Sequence, residues 1–528
     1  MVKPTVDYSL YLVTDSGLNH PSRTLLQSVE DSILGGVTLV QLREKNLDTP
    51  AFIDLARKVH AVTKKYNVPL LINDNLEVAL AIDAEGAHVG QDDITCVEAR
   101  RLLGPNKILG ISTGTPEEAQ KALADGADYI GIGTCFMTQT KSPKRTLGPI
   151  GVRTILEAIP AESEMKTVVI GGIKHDNTRR VVTHSAGGHG RIVDGIAVVT
   201  GIVGAQDAKL ASEQLLSEFR IGHELATTKH QNNIRGSVQD ARASVEDVIK
   251  SFPQMLTTLR EKSPLTHHIS NFVVMNDTAN ATLALGGSPI MAPSAVEAED
   301  LSKVVSSVVL NIGTLTDSFV DCMYEAGKHA NAQSKPIVFD PVGAGATKLR
   351  EETTRKILNA MHVDIIKGNA GEISTIAKII GGSGPDKTET ITMRGVDSLG
   401  SGFSNPAAVV QAIARREGAV VAMTGVTDYV SDGFRTVAIE NGHAYQGRIT
   451  GSGCMIASSI ASFAAISPND HFAAAVAGIL ALNLAGEHAA ARVDVHGPGT
   501  FRAAFIDEMA NLTPQQMLDE ARIKTVTI

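Results

Sequence analysis

Apolar, β-branched runs alternate with amphipathic stretches through the first part of the chain. Each run has the length of a buried strand, and each is followed by a stretch with helical spacing. The predicted strands are Ser9–Thr14, Thr38–Leu42, Leu70–Asn73, Ala87–Gly90, Ile108–Ile111, Tyr129–Gly133, Val168–Gly171 and Ile196–Val199. Strict alternation of eight strands with helices predicts a closed (β/α)8, or TIM, barrel. An open doubly wound sheet is the alternative, but it normally has fewer units.

The pattern changes after the eighth strand. A final helix is predicted over 205–220, and the polar stretch 227–236 that follows it predicts a linker. Helical spacing resumes over 245–261, and a second series of strands and helices continues to about residue 511. We therefore predict a barrel domain over 1–225, a linker over 226–244 and a second α/β domain over 245–528.

Composition supports two domains and narrows the partners. The chain has 528 residues, of which 43% are hydrophobic, which is enough apolar material for two cores. Its net charge of −9 argues against nucleic acid or an anionic membrane as partner and leaves small anions as ligands. Four cysteines without a CxxC pair, and no room for a secretory signal, predict a cytoplasmic location. The most apolar run, 472–486, is too short to span a membrane and predicts a buried helix.

Two carboxylates follow neighbouring strands of the predicted barrel. Asp74 comes after the third strand and Asp92 after the fourth, so both are expected at the carboxyl rim, where they would hold Mg²⁺ for a diphosphate. The alternative is that each acid only caps the helix that follows it. Other polar residues at strand ends favour a site; they are Gln41, Arg43, Lys45, Ser112, Thr138, Thr140 and Lys141.

Three glycine-rich segments mark a candidate nucleotide site in the second half. Residues 337–346 end a strand at Asp340, and residues 365–372 end another with a lysine, an asparagine and a glutamate. The segment 450–454 opens a helix of small residues predicted over 455–465. Glycines at a helix N-terminus expose N–H groups to a phosphoryl group, although each such turn taken alone is more often tight packing.

Each half of the chain carries an ordered series of motifs that resembles a known enzyme family. Residues 11–15, 40–45, 72–74, 88–93, 138–141 and 170–173 match those of thiamine phosphate synthase, which the first half resembles. Residues 263–267, 285–291, 310–314, 340–346, 368–372, 450–454 and 497–499 match hydroxyethylthiazole kinase, a member of the ribokinase-like group. The chain is thus similar to the fused bifunctional enzymes that make thiamine phosphate, with a ribokinase-like α/β domain after the barrel.

For the barrel, the resemblance implies condensation of hydroxymethylpyrimidine diphosphate with thiazole phosphate, releasing pyrophosphate. Asp74 and Asp92 would bind Mg²⁺, and Ser112 and Lys141 would be catalytic. The expected contacts to the pyrimidine diphosphate are Gln41, Arg43, Glu44, Lys45, Asn73, Ser112 and Lys141. Those to the thiazole phosphate are Thr138, Gln139, Thr140, Gly172, Val199 and Thr200.

For the second domain, the resemblance implies phosphorylation of hydroxyethylthiazole with ATP as co-substrate. Glu372 would bind Mg²⁺, directly or through water, and Lys367 and Thr424 would contact ATP. The thiazole contacts would be Asn271, Val273, Met291 and Gly451. Cys454 stands where most ribokinase relatives carry an aspartate, which implies a catalytic role.

The resemblance also implies a homo-oligomer built on trimers of the kinase domain. Two other functions remain open at this point: a non-catalytic sensor that keeps both pockets, and a barrel with a different phosphate-handling reaction beside the same kinase.

Overall fold

A computed structural model describes residues 3–138, 146–187, 189–235, 243–381, 392–394, 397–399 and 403–528. The contacts divide the chain into two compact units, Met1–Gln239 and Asp240–Ile528. The division falls inside the stretch 226–244, and each unit has its own hydrophobic core.

The strands of the first unit form a closed parallel barrel. They are β1 Leu10–Val13, β2 Leu39–Leu42, β3 Leu70–Asn73, β4 Gly86–Val89, β5 Ile108–Thr113, β6 Tyr129–Ile132, β7 Lys166–Ile170 and β8 Gly195–Val198. The barrel closes because β1 pairs with β2 on one side and with β8 on the other. The predicted TIM barrel is therefore confirmed.

Helices follow the strands along the chain. They are α1 Leu25–Leu34, α2 Thr49–Lys65, α3 Leu76–Ala81, α4 Cys96–Leu103, α5 Pro116–Ala124, α6 Gly148–Glu157, α7 His175–His184, α8 Thr200–Val203 and α9 Ala208–Arg235. Helix α9 is longer than predicted, since the helix expected to end near 220 continues into the polar stretch expected to be a linker. From Thr227 to Arg235 the sequence contains neither glycine nor proline, so no strong breaker ends the helix there.

Side chains of the barrel strands alternate between two cores. Leu10 and Leu12 belong to the apolar layer between the strands and the helices, whereas Tyr11 lies in the cluster inside the barrel. This is the period of two that an extended strand imposes. Tyr129 on β6 also belongs to the inner cluster, so hydroxyl groups lie at the centre of the barrel.

The second unit contains a sheet ordered β10-β9-β11-β12-β13-β16-β17-β18-β19 in the described residues. The strands of this unit are β9 Leu265–Ile269, β10 Ser288–Ile290, β11 Ser307–Asn311, β12 Ile337–Asp340, β13 Ile365–Asn369, β14 Thr392–Arg394, β15 Asp397–Leu399, β16 Val420–Thr424, β17 Asp428–Ser431, β18 Thr436–Ile439 and β19 Ile523–Thr525. Strands β10 to β16 along that order are parallel, and β17, β18 and β19 are antiparallel. Strands β14 and β15 form a separate antiparallel pair within the glycine-rich segment 381–402, most of which lies outside the described residues.

Helices cover this sheet. They are α10 Val245–Lys262, α11 Met275–Leu285, α12 Ala298–Val304, α13 Asp317–Ala332, α14 Lys348–Ala360, α15 Ala370–Ile379, α16 Pro406–Glu417, α17 Ser452–Ile466, α18 His471–Ala491, α19 Pro498–Asn511 and α20 Pro514–Asp519. Helix α18 is long and apolar enough to span a membrane, but 89% of its most apolar window is buried. It is a core helix, as predicted. Helices α17 and α18 pack so closely at Gly478 that a Cβ atom there would lie 2.7 Å from the Ile460 backbone. The missing side chain of Gly478 allows this contact.

Candidate active sites

A cavity of about 150 Å³ lies at the carboxyl ends of the barrel strands. The structure brings to its wall most of the residues predicted from the sequence, namely Gln41, Arg43, Asn73, Ser112, Thr138, Gly172, Val199 and Thr200. These residues come from several strand ends, which is the usual construction of an active site in this fold. The predicted contacts Gln139, Thr140 and Lys141 lie outside the described residues.

The cations beside this cavity are held by carboxylates. Arg43 lines the wall, and its Nη1 lies 2.5 Å from Oδ2 of Asp15. The Lys45 Nζ lies 2.7 Å from Oδ2 of Asp74. Glu44 accepts a hydrogen bond from the Ser16 hydroxyl and is not part of the cavity wall.

The carboxylate that meets Asp74 is Asp93, the neighbour of the predicted Asp92. Asp93 Oδ2 accepts a hydrogen bond from the Gly90 N–H at 2.8 Å, which folds the turn back. Its carboxyl group contacts that of Asp74, and the pKa of Asp93 is raised by partial burial and by this neighbour. Asp92 and Asp93 are both exposed, and it is Asp93 that contacts Asp74. The pairing of Asp74 with Asp92 stays a prediction, and the turn between Gly90 and Asp93 offers Asp93 as the alternative partner of Asp74.

Three residues that the sequence analysis missed connect two that it predicted. Gln41 Nε2 donates to Tyr11 Oη at 2.6 Å, and Tyr11 Oη lies 2.8 Å from Tyr129 Oη. His88 Nδ1 lies 2.8 Å from Tyr129 Oη, and His88 Nε2 lies 2.9 Å from Ser112 Oγ. All three linking residues are buried and line the cavity. A signal was available, since each stands at an inward-facing position of its strand.

Gly172, after β7, is required by close packing. Its φ is +65°, and a Cβ atom there would lie 2.7 Å from the carbonyl oxygen of Met137. The loop after β7 therefore approaches the loop after β6, where Thr138 lies. Thr138 and Gly172, two of the predicted thiazole phosphate contacts, therefore line the same cavity.

Buried polar side chains meet at the carboxyl edge of the second sheet. Asn311, at the end of β11, accepts from Asn271 Nδ2 at 2.9 Å. The Nδ2 of Asn311 donates to Oδ2 of Asp340 at 2.8 Å and lies 3.2 Å from the Sγ of Cys454. Asp340 ends β12, and Cys454 lies in the first turn of α17. Asp340 was predicted only to end its strand, and no site role was predicted for it.

Cys454 is a protonated thiol in this setting. Burial raises its pKa to about 12, and the neighbouring Asp340 carboxylate contributes to the rise. The Lys367 ammonium and the Asn311 amide lower the pKa of Cys454, but their effect is smaller than that of burial. The position of Cys454 at a helix N-terminus therefore does not make it a thiolate at neutral pH.

Lys367 is buried beside Asp340. Its Nζ lies 3.3 Å from Oδ1 of Asp340. Burial alone would lower the pKa of Lys367, but Asp340 and Glu372 raise it, so the ammonium group stays charged. A Cβ atom on Gly453 would lie 3.0 Å from this Nζ, so the start of α17 lies directly over the charge.

Glu372 links two of the glycine-rich segments. Its carboxylate accepts from the N–H of Gly343 at 2.8 Å and from the N–H of Asn369 at 2.8 Å. Burial raises the pKa of Glu372 to about 7, while these N–H groups oppose the rise. Glu372 and Asn369 also form the capping box of α15.

The turn after β16 carries the predicted ATP contact Thr424. The N–H of Gly425 donates to Oδ1 of Asp428 at 2.9 Å, and Asn483 Nδ2 donates to Oδ2 of Asp428 at 2.7 Å. Burial raises the pKa of Asp428 to about 6, and both donors counteract it. This carboxylate thereby ties the turn to α18.

The predicted thiazole contacts differ in exposure. Asn271 is buried, and Met291, after β10, is half-buried. Val273 is 69% exposed, and its neighbour Phe272 is 66% exposed. Gly451 precedes α17 with a φ of +86°. Two large apolar side chains therefore lie uncovered beside a buried polar cluster.

The described residues of the two sites do not supply a complete set of protein ligands for a metal. In the part of the chain that the structure describes, no group of three or more His, Cys, Asp or Glu side chains could hold an ion. Mg²⁺ commonly takes one or two carboxylates and completes its octahedron with water and substrate phosphates. The carboxylates present suit that kind of site.

Comparison with known proteins identifies the family. The model of the family described as "Thiamine monophosphate synthase" matches residues 10–202, and that of the "Hydroxyethylthiazole kinase family" matches residues 256–515. A "probable thiamine biosynthetic bifunctional enzyme" from Schizosaccharomyces pombe is 39% identical over 520 residues, covering 97% of this chain and 96% of that protein. The chain belongs to the thiamine biosynthetic bifunctional enzymes.

Further relatives agree. The thiamine biosynthetic bifunctional enzyme of Saccharomyces cerevisiae is 38% identical over 544 residues, covering 97% of this chain and 96% of that protein. The hydroxyethylthiazole kinase of Thermoanaerobacter pseudethanolicus is 44% identical over 271 residues, covering 51% of this chain and 98% of that protein.

As a thiamine biosynthetic bifunctional enzyme, the chain has two activities. The barrel is its thiamine phosphate synthase, and the second domain is its hydroxyethylthiazole kinase. The predicted fold and both predicted activities are confirmed. The sensor and the barrel with a different phosphate reaction have no support in these matches.

Proposed function

We propose that the barrel binds the pyrimidine diphosphate through Gln41, Asn73 and Ser112 and directs its diphosphate toward Arg43 and Lys45. The observation that carries this proposal is the cavity that gathers residues from successive strand ends. Cations and N–H groups would stabilise the departing pyrophosphate, because negative charge grows on it as the bond breaks. The thiazole phosphate would occupy the part of the cavity near Thr138, Gly172, Val199 and Thr200.

For the barrel metal, the proposed ligands are Asp74 and Asp93. The two carboxyl groups are in contact, and the pKa of Asp93 is raised. A divalent cation bound between them would remove the repulsion between their negative charges. Mg²⁺ bound there would neutralise the diphosphate as it leaves. Lys45, now paired with Asp74, is near enough to share that anion.

For the kinase, the proposed phosphoryl donor is ATP, positioned with the start of α17, Lys367 and Thr424 around its phosphates. The charged Lys367 beneath Gly453 supports this arrangement, since a helix N-terminus and a cation both favour phosphate. Glu372 would bind Mg²⁺ directly or through water. Phosphoryl transfer depends mostly on positioning and electrostatics, so a weak base at Cys454 is compatible with catalysis.

One assay tests the whole proposal. The purified chain is supplied with hydroxyethylthiazole, the pyrimidine diphosphate, ATP and Mg²⁺, and thiamine phosphate is measured. Product should form only when all four are present, and thiazole phosphate supplied directly should remove the need for ATP. Product formed without Mg²⁺ in the presence of a chelator would contradict the metal proposal.

We also propose a cytoplasmic homo-oligomer built on trimers of the kinase domain. The exposed Phe272 and Val273 support an interface beside the thiazole site, because uncovered apolar side chains of this size are often contact surfaces. All four cysteines are free, which fits a reducing compartment. The mass measured in solution should be a multiple of three chains, and a monomer would contradict the assembly.

A further inference from the structure

A continuous line of hydrogen bonds crosses the barrel interior from Gln41 to Ser112. It passes through Tyr11, Tyr129 and His88, with the four links between 2.6 and 2.9 Å. We call these five residues the relay. Both ends face the cavity, and the three inner members are buried.

With the Gln41 amide nitrogen facing Tyr11, as in the structure, counting donors gives the relay one self-consistent direction. The Gln41 amide N–H donates to Tyr11, so the single hydroxyl proton of Tyr11 is free to go to Tyr129. Tyr129 then donates to His88 Nδ1, which makes a neutral His88 carry its proton on Nε2. That proton goes to Ser112 Oγ, and the Ser112 hydroxyl proton is left to point into the cavity.

Reversing one end reverses the other. If the Gln41 amide turned over, its oxygen would accept from Tyr11, and every proton along the relay would change sides. Ser112 would then donate to His88 and offer only its lone pairs to the cavity. In the first direction the side-chain carbonyl oxygen of Gln41 and the hydroxyl proton of Ser112 face the cavity. In the reversed direction the side-chain N–H of Gln41 and the lone pairs of Ser112 face it.

We propose that Tyr11, Tyr129 and His88 are positioning residues that couple the hydrogen-bonding roles of Gln41 and Ser112 toward the pyrimidine ring. This inference rests on the proposed contacts of Gln41 and Ser112 with that ring. A ring whose amino group donates to Gln41 would thereby meet a donor at Ser112, so the site selects a ring that presents a donor and an acceptor together. A ring with two acceptors would leave one end of the relay mismatched.

The surroundings make the coupling strong. Burial raises the pKa of both Tyr11 and Tyr129, so each keeps its proton and can relay only one hydrogen bond forward. Hydrogen bonds in a buried chain reinforce one another, and a buried donor left without an acceptor is destabilising. Tyr8 is the useful contrast: its ring packs on Tyr129 at 5.1 Å between centroids, but its hydroxyl takes no part in the relay.

A double-mutant cycle tests the coupling. Gln41→Met and Ser112→Ala are made singly and together, and kcat/KM for the pyrimidine diphosphate is measured with thiazole phosphate supplied. Each single variant should lose activity. If Gln41 and Ser112 were independent, the fold-loss of the double variant would equal the product of the two single fold-losses. Because the relay links them, the fold-loss of the double variant should be at least about fivefold smaller than that product. In a Tyr129→Phe background the losses should simply multiply. Tyr11→Phe should give the same result by breaking a different link.

Controls separate the possible failures. Tyr8→Phe removes a neighbouring hydroxyl and should leave the non-additivity intact. The circular dichroism spectrum and the thermal unfolding curve of each variant report whether its barrel is folded. If neither single variant loses synthase activity, the proposed pyrimidine contacts fail and the inference fails with them. If both lose activity but the losses multiply in the otherwise unchanged chain, the contacts stand and the relay is overturned. Non-additivity that survives both Tyr129→Phe and Tyr11→Phe also overturns it.

Discussion

Two adjacent aspartates, Asp92 and Asp93, have different surroundings although they are neighbours in the sequence. Both are exposed, but Asp93 accepts a hydrogen bond from the Gly90 N–H and contacts the carboxyl group of Asp74. We expect Asp93→Asn to lower the synthase rate about 100-fold or more, since it removes a proposed metal ligand. The matched change Asp92→Asn should lower it less than about threefold.

The measurement is the synthase rate as a function of Mg²⁺ concentration. Excess Mg²⁺ should recover part of the activity of the Asp93 variant, because a weakened site fills at higher concentration. The assignment would be reversed if Asp92→Asn were the variant that Mg²⁺ rescues.

Cys454 illustrates a residue whose chemistry depends on burial. With its pKa raised to about 12, the thiolate is scarce at neutral pH, and the thiol contacts Asp340 and Asn311. We expect Cys454→Asp to keep kinase activity, because it restores the group found in most ribokinase relatives. Cys454→Leu should weaken the activity about tenfold, since it leaves buried polar partners unsatisfied.

The pH profile separates a thiolate from a positioned thiol. Below its raised pKa the thiolate fraction grows tenfold with each pH unit, so a thiolate base would make kcat climb steadily from pH 6 to 9. We expect no such climb in the unchanged chain. A tenfold rise per unit that disappears in Cys454→Leu would identify the thiolate as the base.

At the residue scale, the sequence predicted which side chains lie at the site better than it predicted which side chains contact one another. Gln41, Asn73 and Ser112 were found because polar residues at successive strand ends converge in a barrel. The choice between Asp92 and Asp93 depends on how a turn closes, which spacing along the chain does not reveal. The role of His88 depends on two hydroxyl groups contributed by distant strands.

At the scale of elements, the turn between β16 and β17 depends on one carboxylate. Asp428 accepts from Gly425 within the turn and from Asn483 on α18. We expect Asp428→Ala to raise the KM for ATP about tenfold and leave the KM for the thiazole nearly unchanged, because two charge-assisted hydrogen bonds that position Thr424 are lost.

A matched control is Asp432→Ala, which breaks an ion pair with Arg435 at the other end of β17. It should lower thermal stability without changing the KM for ATP. Equal effects of the two variants on ATP would mean that Asp428 only stabilises the sheet.

Strands and buried helices were predictable because their apolar patterns are local. All eight barrel strands and the core helix α18 lie where the sequence placed them. The end of α9 was not predictable from its polar composition. Polar residues without glycine or proline can continue a helix whose start is well packed. Two short strands inside the segment 381–402 had no local signal either.

At the scale of the whole molecule, the two activities belong to separate compact units. Asp74→Ala should abolish formation of thiamine phosphate while thiazole phosphate continues to form at the normal rate. The rates of both steps are measured on the same preparation. Equal loss of both would contradict independent sites.

Mixing two defective chains tests how the intermediate travels. Asp74→Ala lacks the second step and Cys454→Leu is weak in the first, so a mixture should make thiamine phosphate faster than either chain alone if thiazole phosphate diffuses freely. The controls are the kinase rate of Asp74→Ala and the synthase rate of Cys454→Leu, which should both be normal. If both are normal and mixing gives no gain, the intermediate passes directly within one assembly.

The presence of both units on one chain has a consequence for supply and demand. Every molecule synthesised adds one kinase and one synthase, so gene expression changes total output but never the ratio of the two catalysts. The level of thiazole phosphate is then set by the turnover numbers of the two sites and by how much pyrimidine diphosphate reaches the barrel. A substitution that slows only the barrel would therefore make the cell accumulate the intermediate, however much of the protein it makes.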